Sequence, residues 1–239
     1  GQQFGSDVTV TAFDQYNNQK SDYSGIVTWS STDGDPYPAV LPTDDGSQWS
    51  NGVKTFSRYS FILFNTPSQT ITVSDGSVTR QSDPITVTPG SLASLVIRSG
   101  SGGAGVPVDS HTMGVGETLN LYSAGYDPYG NFINDVNSNW SSDGNLTPQV
   151  SASNRSNYTF IPTAPGSGTV RAEASSDPTV YDNTGMISVV AGSVTHFQIS
   201  SIGTQVSGEP FSITVTALDA DDIVATSFTG KVQIFDLTG

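Results

Sequence analysis

One phrase recurs three times along this chain. Val8-Thr-Val-Thr-Ala-Phe-Asp14 returns as Leu121-Tyr-Ser-Ala-Gly-Tyr-Asp127 and again as Ile213-Thr-Val-Thr-Ala-Leu-Asp219. Each copy alternates along a strand and ends in a large apolar residue followed by Asp. A second phrase marks the seams: Ile85-Thr-Val-Thr-Pro-Gly-Ser91 matches Ile187-Ser-Val-Val-Ala-Gly-Ser193, with the two serines 102 positions apart. That period is about the length of one β-sandwich domain, roughly 100 residues. Self-similarity at such a period sets the architecture before any local motif does, because each copy must bury its own apolar face. The chain reads as a tandem array with repeats at 1–89, 90–190 and 191–239.

Composition agrees. The apolar set is rich in Val, Ile, Tyr and Phe, Ser and Thr are abundant, and only 13% of residues are charged. Ordinary soluble domains are about 25% charged. No window places Ala, Leu, Glu and Lys at a helical period, so the class is all-β. Turn chemistry separates the strands: Asn17-Asn18, Asp33-Gly34-Asp35-Pro36, Asp45-Gly46, Asn51-Gly52 and Asp75-Gly76. Short strands with turn signals every 8–12 residues mark a sandwich. Expected strands are Asp7–Phe13, Ile26–Ser30, Lys54–Phe64, Gln69–Val73 and Pro84–Thr88 in the first copy. In the second they are Leu92–Arg98, Thr118–Ala124, Asn137–Ser141, Asn157–Ile161, Gly168–Ala174 and Gly185–Val189. The third offers Val194–Ser200, Phe211–Leu218 and Gly230–Phe235.

Charge narrows the partners. Eight Lys and Arg stand against 22 Asp and Glu, a net charge of −14. Such a surface repels phosphate backbones and anionic bilayers, so nucleic acid is excluded. No 18-residue apolar run occurs, so no membrane insertion is expected within this segment. Cysteine is absent, which removes disulfides and thiolate metal sites and points toward a prokaryotic surface protein. The second and third copies open with a strand that has no counterpart before Val8, and the third stops after its third strand. The chain is therefore expected to be a window on a longer array, or a subunit completed by a neighbour.

The joints Thr88-Pro89-Gly90-Ser91 and Val190-Ala191-Gly192-Ser193 leave little slack, which suits semi-rigid rods. With the strand ending in Asp and the turn Asp127-Pro128-Tyr129-Gly130-Asn131, they resemble bacterial immunoglobulin-like repeats of the invasin/intimin (Big) type. The first copy keeps Asp14 and Asn18 but has Asn17 in place of Gly. The third, Asp219-Ala220-Asp221-Asp222-Ile223, has neither Gly nor Asn. The resemblance implies tandem Ig-like Greek-key sandwiches arranged head to tail, exposed on a cell surface, with no enzymatic chemistry. It also implies that Asp127, Gly130 and Asn131 form a structural turn.

Asp14, Asp127 and Asp219 have two readings. Either each carboxylate accepts backbone N–H groups and fixes its loop, or it binds calcium at a repeat joint with Asp135, Asp182 or Asp221 and loop carbonyls. Calcium is the one cofactor considered. Gly100-Ser101-Gly102-Gly103-Ala104-Gly105 matches a dinucleotide fingerprint, but Val106-Pro107-Val108-Asp109 opens no helix to receive a pyrophosphate, so it reads as a loop. His111, placed in a long polar loop, and His196, on an alternating strand, lie in different copies, and no nucleophile motif accompanies them. Trp29 and Trp140 occupy matching strands and read as core. Trp49 and Tyr37 read as strand-capping residues or as an aromatic pair able to stack on sugars. Asn139, Asn145, Asn154 and Asn157 each begin Asn-x-Ser/Thr, the glycan acceptor pattern.

The expected function is a non-enzymatic structural stretch of an extracellular protein, a stalk, filament or S-layer-like sheath whose partners are neighbouring repeats or copies of itself. Two alternatives stand beside it. One is an adhesin or carbohydrate-binding module that meets glycans or host and surface proteins through the loops Asp33–Gln48 and Gly100–Met113. The other is a fibre subunit that polymerises by β-strand complementation.

Overall fold

A computed structural model gives the structure of the chain and describes residues 2–226 and 228–235. It is all-β, in sandwiches of paired sheets, with one 3-10 turn at Arg58–Ser60. The chain divides into two compact units. One comprises residues 1–94 and 125–134, the other residues 95–124 and 135–239.

In the first unit Val8–Thr11 pairs antiparallel with Val53–Phe56. Thr28–Ser31, Ile71–Ser74 and Thr79–Gln81 form a three-stranded sheet. The period-2 alternation of these strands turns Val8, Val10, Trp29, Val73 and Phe56 inward. They close over a core of Val27, Phe56, Phe61, Leu63, Ile71 and Val87. Trp29 sits edge-on to Phe56 and Phe61, with ring centres 5.1 Å and 5.0 Å away. The expected long strand Lys54–Phe64 is broken in two by the 3-10 turn, whose Ser57 hydroxyl accepts the Tyr59 amide. Ahead of Val8, Gln2–Gln3 pairs antiparallel with Ile62–Leu63, and the Phe4 ring stacks on Phe61 at 5.1 Å. The position expected to lack a first strand thus holds a two-residue one.

The next repeat is the most complete. Leu119–Tyr126 pairs with Ser94–Arg98, Phe132–Asp135 and Asn157–Phe160 in one sheet. The facing sheet runs His111–Gly114, Ile187–Val190, Gly166–Ala174, Ser138–Gly144 and Ser151–Arg155, with Tyr181–Asn183 also on Gly166–Ala174. The chain crosses between the two sheets several times, as from Ser94–Arg98 to His111–Gly114 and from Phe132–Asp135 to Ser138–Gly144. Alternation is clean where the core is deepest: Gly168, Val170, Ala172 and Ala174 face in along one strand, and Leu119 and Leu121 along another. Trp140 is 2% exposed, and its indole N–H donates to the Arg155 carbonyl at 2.8 Å.

His111 does not lie in a loop. It opens the strand His111–Gly114, which runs parallel to Ile187–Val190 along the sheet edge. That edge depends on Gly185, because a Cβ there would fall 1.3 Å from the Asp109 carbonyl oxygen. The third repeat supplies an antiparallel pair, His196–Ile199 with Val215–Leu218. Gly230–Phe235, expected as a strand, has no ladder partner and is not one.

Candidate functional site: the aspartate turns

The three recurring aspartates fold into one and the same turn. Oδ1 of Asp127 accepts the amides of Tyr129 and Asn131, both at 2.9 Å. Oδ1 of Asp219 accepts those of Asp221 and Ile223 at 3.0 Å and 2.9 Å. Oδ1 of Asp14 accepts those of Tyr16 and Asn18 at 2.9 Å and 2.8 Å. The backbone closes each loop alike, with the Asp amide donating to the carbonyl four residues on: Asn18, Asn131 and Ile223. The fourth residue of each turn is left-handed, at φ 63° for Asn17, 80° for Gly130 and 61° for Asp222. Gly adopts that conformation freely, and Asn and Asp tolerate it better than other residues. This explains why the third copy keeps the turn after losing both Gly and Asn. The short Asx side chain at position four and the leading Asp suffice.

The second carboxylate oxygen does something the sequence did not reveal. Oδ2 of Asp127 accepts the amide of Gly90 at 2.9 Å, and Oδ2 of Asp219 accepts the amide of Gly192 at 2.9 Å. These are the glycines of the two seams. Three residues beyond each glycine the pattern recurs: Ala93 N–H donates to the Tyr126 carbonyl at 2.8 Å, and Thr195 N–H to the Leu218 carbonyl at 2.9 Å. Each seam is thus pinned at two points to the strand end and turn of the repeat that follows it. At Gly192 a Cβ would sit 3.1 Å from the Cβ of Asp219, so the small residue permits the close approach.

Around Asp127 the clamp extends further. The Asn131 amide nitrogen donates to Asp127 Oδ2 at 2.9 Å and to the Phe64 carbonyl at 2.7 Å, while Asn131 Oδ1 accepts the Thr66 amide at 3.0 Å. From the other side the buried Asp33 carboxylate accepts the amides of Phe64 and Asn65 at 2.6 Å and 3.0 Å. The segment 64–66 lies outside any strand, so its backbone polar groups need partners from elsewhere. Asp33 and Asn131 supply them. Tyr129 then covers the segment, 4.8 Å from the Phe64 ring and 5.3 Å from the Tyr37 ring.

Electrostatics follow the hydrogen bonds. Burial pushes the Asp127 carboxyl up, but the bonds from Gly90, Asn131 and Tyr129 outweigh it and hold the group below its ordinary 3.8. Asp219 is lowered chiefly by the Ile223 amide against some burial, with help from Gly192 and Asp221. Asp14 is lowered by the Asn18 backbone and side chain. All three are anions aimed at N–H donors.

Of the oxygens expected to complete a calcium shell, Asp135 Oδ2 accepts the Gly102 amide at 2.7 Å and Asp182 Oδ2 the Ile97 amide at 2.7 Å. Among the described residues no three His, Asp or Glu side chains converge. Trp49 and Tyr37 have separate surroundings. Trp49 packs against the core edge-on to Tyr23, at 4.7 Å, while Tyr37 joins Phe64 and Tyr129. The four glycan-pattern asparagines, Asn139, Asn145, Asn154 and Asn157, are all exposed.

A second buried polar group was not foreseen. Asp44, with a side chain sealed from solvent, accepts the amides of Val27 at 2.8 Å and Gly46 at 3.0 Å and pairs with Lys54, whose ammonium also donates to the Ser47 carbonyl.

No sequence family and no curated protein matches this chain. Solved structures similar to it include the S-layer protein rSbsC(31-844), at 19% identity over 95% of this chain and 27% of that one, with a TM-score of 0.27. InvD of Yersinia pseudotuberculosis is another, at 17% identity over 91% of this chain and 66% of that one, TM-score 0.38. Domains 5–6 of the S-layer protein SbsC match at 17% identity over 79% of this chain and 91% of that one, TM-score 0.27. The chain spans about a quarter of the first protein's length and just under two thirds of the second's.

Proposed function

We propose that this chain is a non-enzymatic structural stretch of Ig-like repeats in a bacterial extracellular surface protein, a stalk or sheath element whose seams are stiffened by aspartate turns. The observation that carries this reading is the pair of clamps, Gly90 on Asp127 and Gly192 on Asp219, both at 2.9 Å and each backed by a second bond three residues on. A flexible linker has no use for such pinning, whereas a spacer that must hold its length does. The acidic, cysteine-free composition suits a secreted array kept soluble by its own charge.

Single-molecule pulling of the full chain, paired with hydrogen exchange, tests the mechanical part. In the wild type the amides of Gly90 and Gly192 exchange slowly; in Asp127→Ala and Asp219→Ala they exchange fast and the chain yields at lower force. Equal exchange in wild type and variants overturns the reading. Protease treatment of intact source cells tests the location, which fails if the chain survives untouched.

A second reading, assembly by strand complementation, draws on the third repeat. Phe197, Ile199, Phe211, Ile234 and Phe235 there are 44–72% exposed, and His196–Ile199 and Val215–Leu218 form a two-stranded sheet whose open edges could accept a further strand. Growth of oligomers with concentration would favour it over the stalk.

A further inference from the structure

Lys54 is the one buried lysine or arginine among the described residues. Its side chain is 7% exposed and that of Asp44 is 0% exposed, with Nζ 2.5 Å from Asp44 Oδ1. The centre of the Phe56 ring lies 5.3 Å from the same Nζ. Asp44 stands on a loop and Lys54 on the strand Val53–Phe56, so the fold brings amine and carboxyl together away from water. Two features set the pair apart from a plain ion pair. Each carboxyl oxygen holds a backbone amide, Oδ2 that of Val27 at 2.8 Å and Oδ1 that of Gly46 at 3.0 Å. A second carboxylate, Asp45, places Oδ1 3.7 Å from Nζ and is itself 78% exposed, so it can exchange protons with solvent.

We propose that Lys54 and Asp44 condense to an intramolecular amide, a crosslink the chain forms by itself, tying the strand Val53–Phe56 to the loop before it. The ammonium proton first passes along the short N–H···O bond to Asp44 Oδ1, leaving a neutral amine and a neutral carboxylic acid. A desolvated site favours that neutral pair far more than water does. The Nζ lone pair then attacks Cγ, one bond beyond Oδ1, and an N–C bond forms. Negative charge collects on Oδ2, where the Val27 amide already points. Asp45 takes one proton from the nitrogen and returns it to the Oδ1 hydroxyl. The C–Oδ1 bond breaks and one water leaves, with no oxidant or other reactant required. Both polar atoms of the product keep partners: Oδ2 accepts from Val27, and the remaining N–H faces the Ser47 carbonyl, 2.5 Å from Nζ. Two buried charges disappear, and with them the desolvation that an internal ion pair must bear. The inference stands apart from the stalk reading, since it needs only the folded first unit.

Intact-mass spectrometry of the folded 239-residue chain, followed by denaturation and tryptic mapping, tests this. The chain is expected to weigh one water less than its sequence. Trypsin needs a free lysine, so Ser21–Arg58 should stay uncut after Lys54 while the exposed Lys20 is cut. Lys54→Arg should keep its full sequence mass. Asp45→Ala, with its fold checked by circular dichroism, should slow water loss from freshly synthesised chain by about 100-fold, the usual worth of a placed acid–base group. Full sequence mass in the folded wild type, with ready cleavage after Lys54, overturns the inference. So does a water loss that leaves Lys54 cleavable or persists in Lys54→Arg, because a succinimide at Asp45-Gly46 or Asp75-Gly76 would then account for it. Unslowed bond formation in Asp45→Ala overturns the role given to Asp45.

Discussion

The amide of Gly90 and the carboxylate of Asp127, 37 residues apart, meet at 2.9 Å, and that one bond ties a seam to the end of a strand. The same oxygen also accepts from Asn131, and its twin accepts from two more amides. Removing the carboxylate strands four N–H donors where solvent barely reaches. Asp127→Ala should destabilise the unit containing it by about 3 kcal/mol, as expected for several unpaired buried donors. Urea unfolding monitored by tryptophan fluorescence measures this. Asp14→Ala, which frees no seam amide, should cost clearly less.

Acid should open the same lock. The folded Asp127 carboxyl lies below its ordinary 3.8 because its hydrogen bonds outweigh burial. A depressed folded value means the contribution is fully present above the unfolded value and is lost as pH falls through the folded one. Stability should therefore decline below pH 4, and the decline should be shallower in Asp127→Asn, which has no proton to gain. Identical acid profiles for wild type and variant would refute this assignment.

Asn131 acts as a side-chain stand-in for a strand, pairing both a carbonyl and an amide of segment 64–66. Asn131→Ala should speed hydrogen exchange at the Thr66 amide and lower stability by about 1–2 kcal/mol. Exchange at Phe64 and Asn65, held from the other side by Asp33, should change far less.

The sealed Asp44–Lys54 pair predicts strong non-additivity. Burial pushes Asp44 up, but the bond from Lys54 and the amides of Val27 and Gly46 more than offset this, so the group stays ionised. Lys54→Met leaves that charge buried and unpaired and should cost about 3–5 kcal/mol, whereas Lys54→Met with Asp44→Leu should cost less than the two single changes combined. A double-mutant cycle in urea decides it.

Calcium should have no purchase on the turns. Each oxygen of Asp127 already accepts two N–H donors, and a cation would have to displace them. Melting temperatures in millimolar calcium and in chelator should coincide. A clear upward shift with calcium would show that the turns rearrange around an ion.

The sandwich class was legible because period-2 alternation and turn residues are local signals. The turn at Asp127 was legible for the same reason. The seam clamp was not. Gly90 and Gly192 stand at different distances from their aspartates, so no fixed spacing marks the bond, and a Gly amide carries no sequence signature. The strand at His111 was missed because it lies at a sheet edge with polar residues on its open side, which leaves little alternation to read. The Asp219 turn survived the loss of Gly and Asn because Asp222 can also turn left-handed. The Asp44–Lys54 pair carries no local sequence signal, since burial of a polar pair depends on loops folding over it.

Asp127 and Asp219 are 3% and 2% exposed, so their charges face amides and little water. Salt screens exposed pairs such as Lys20–Asp22, 47% and 77% exposed, but reaches sealed charges poorly. The seams therefore belong to the part of the molecule that is indifferent to ionic strength. A surface built from such repeats would keep its spacing from fresh water to brine, while the rest of its negative charge answers to the medium.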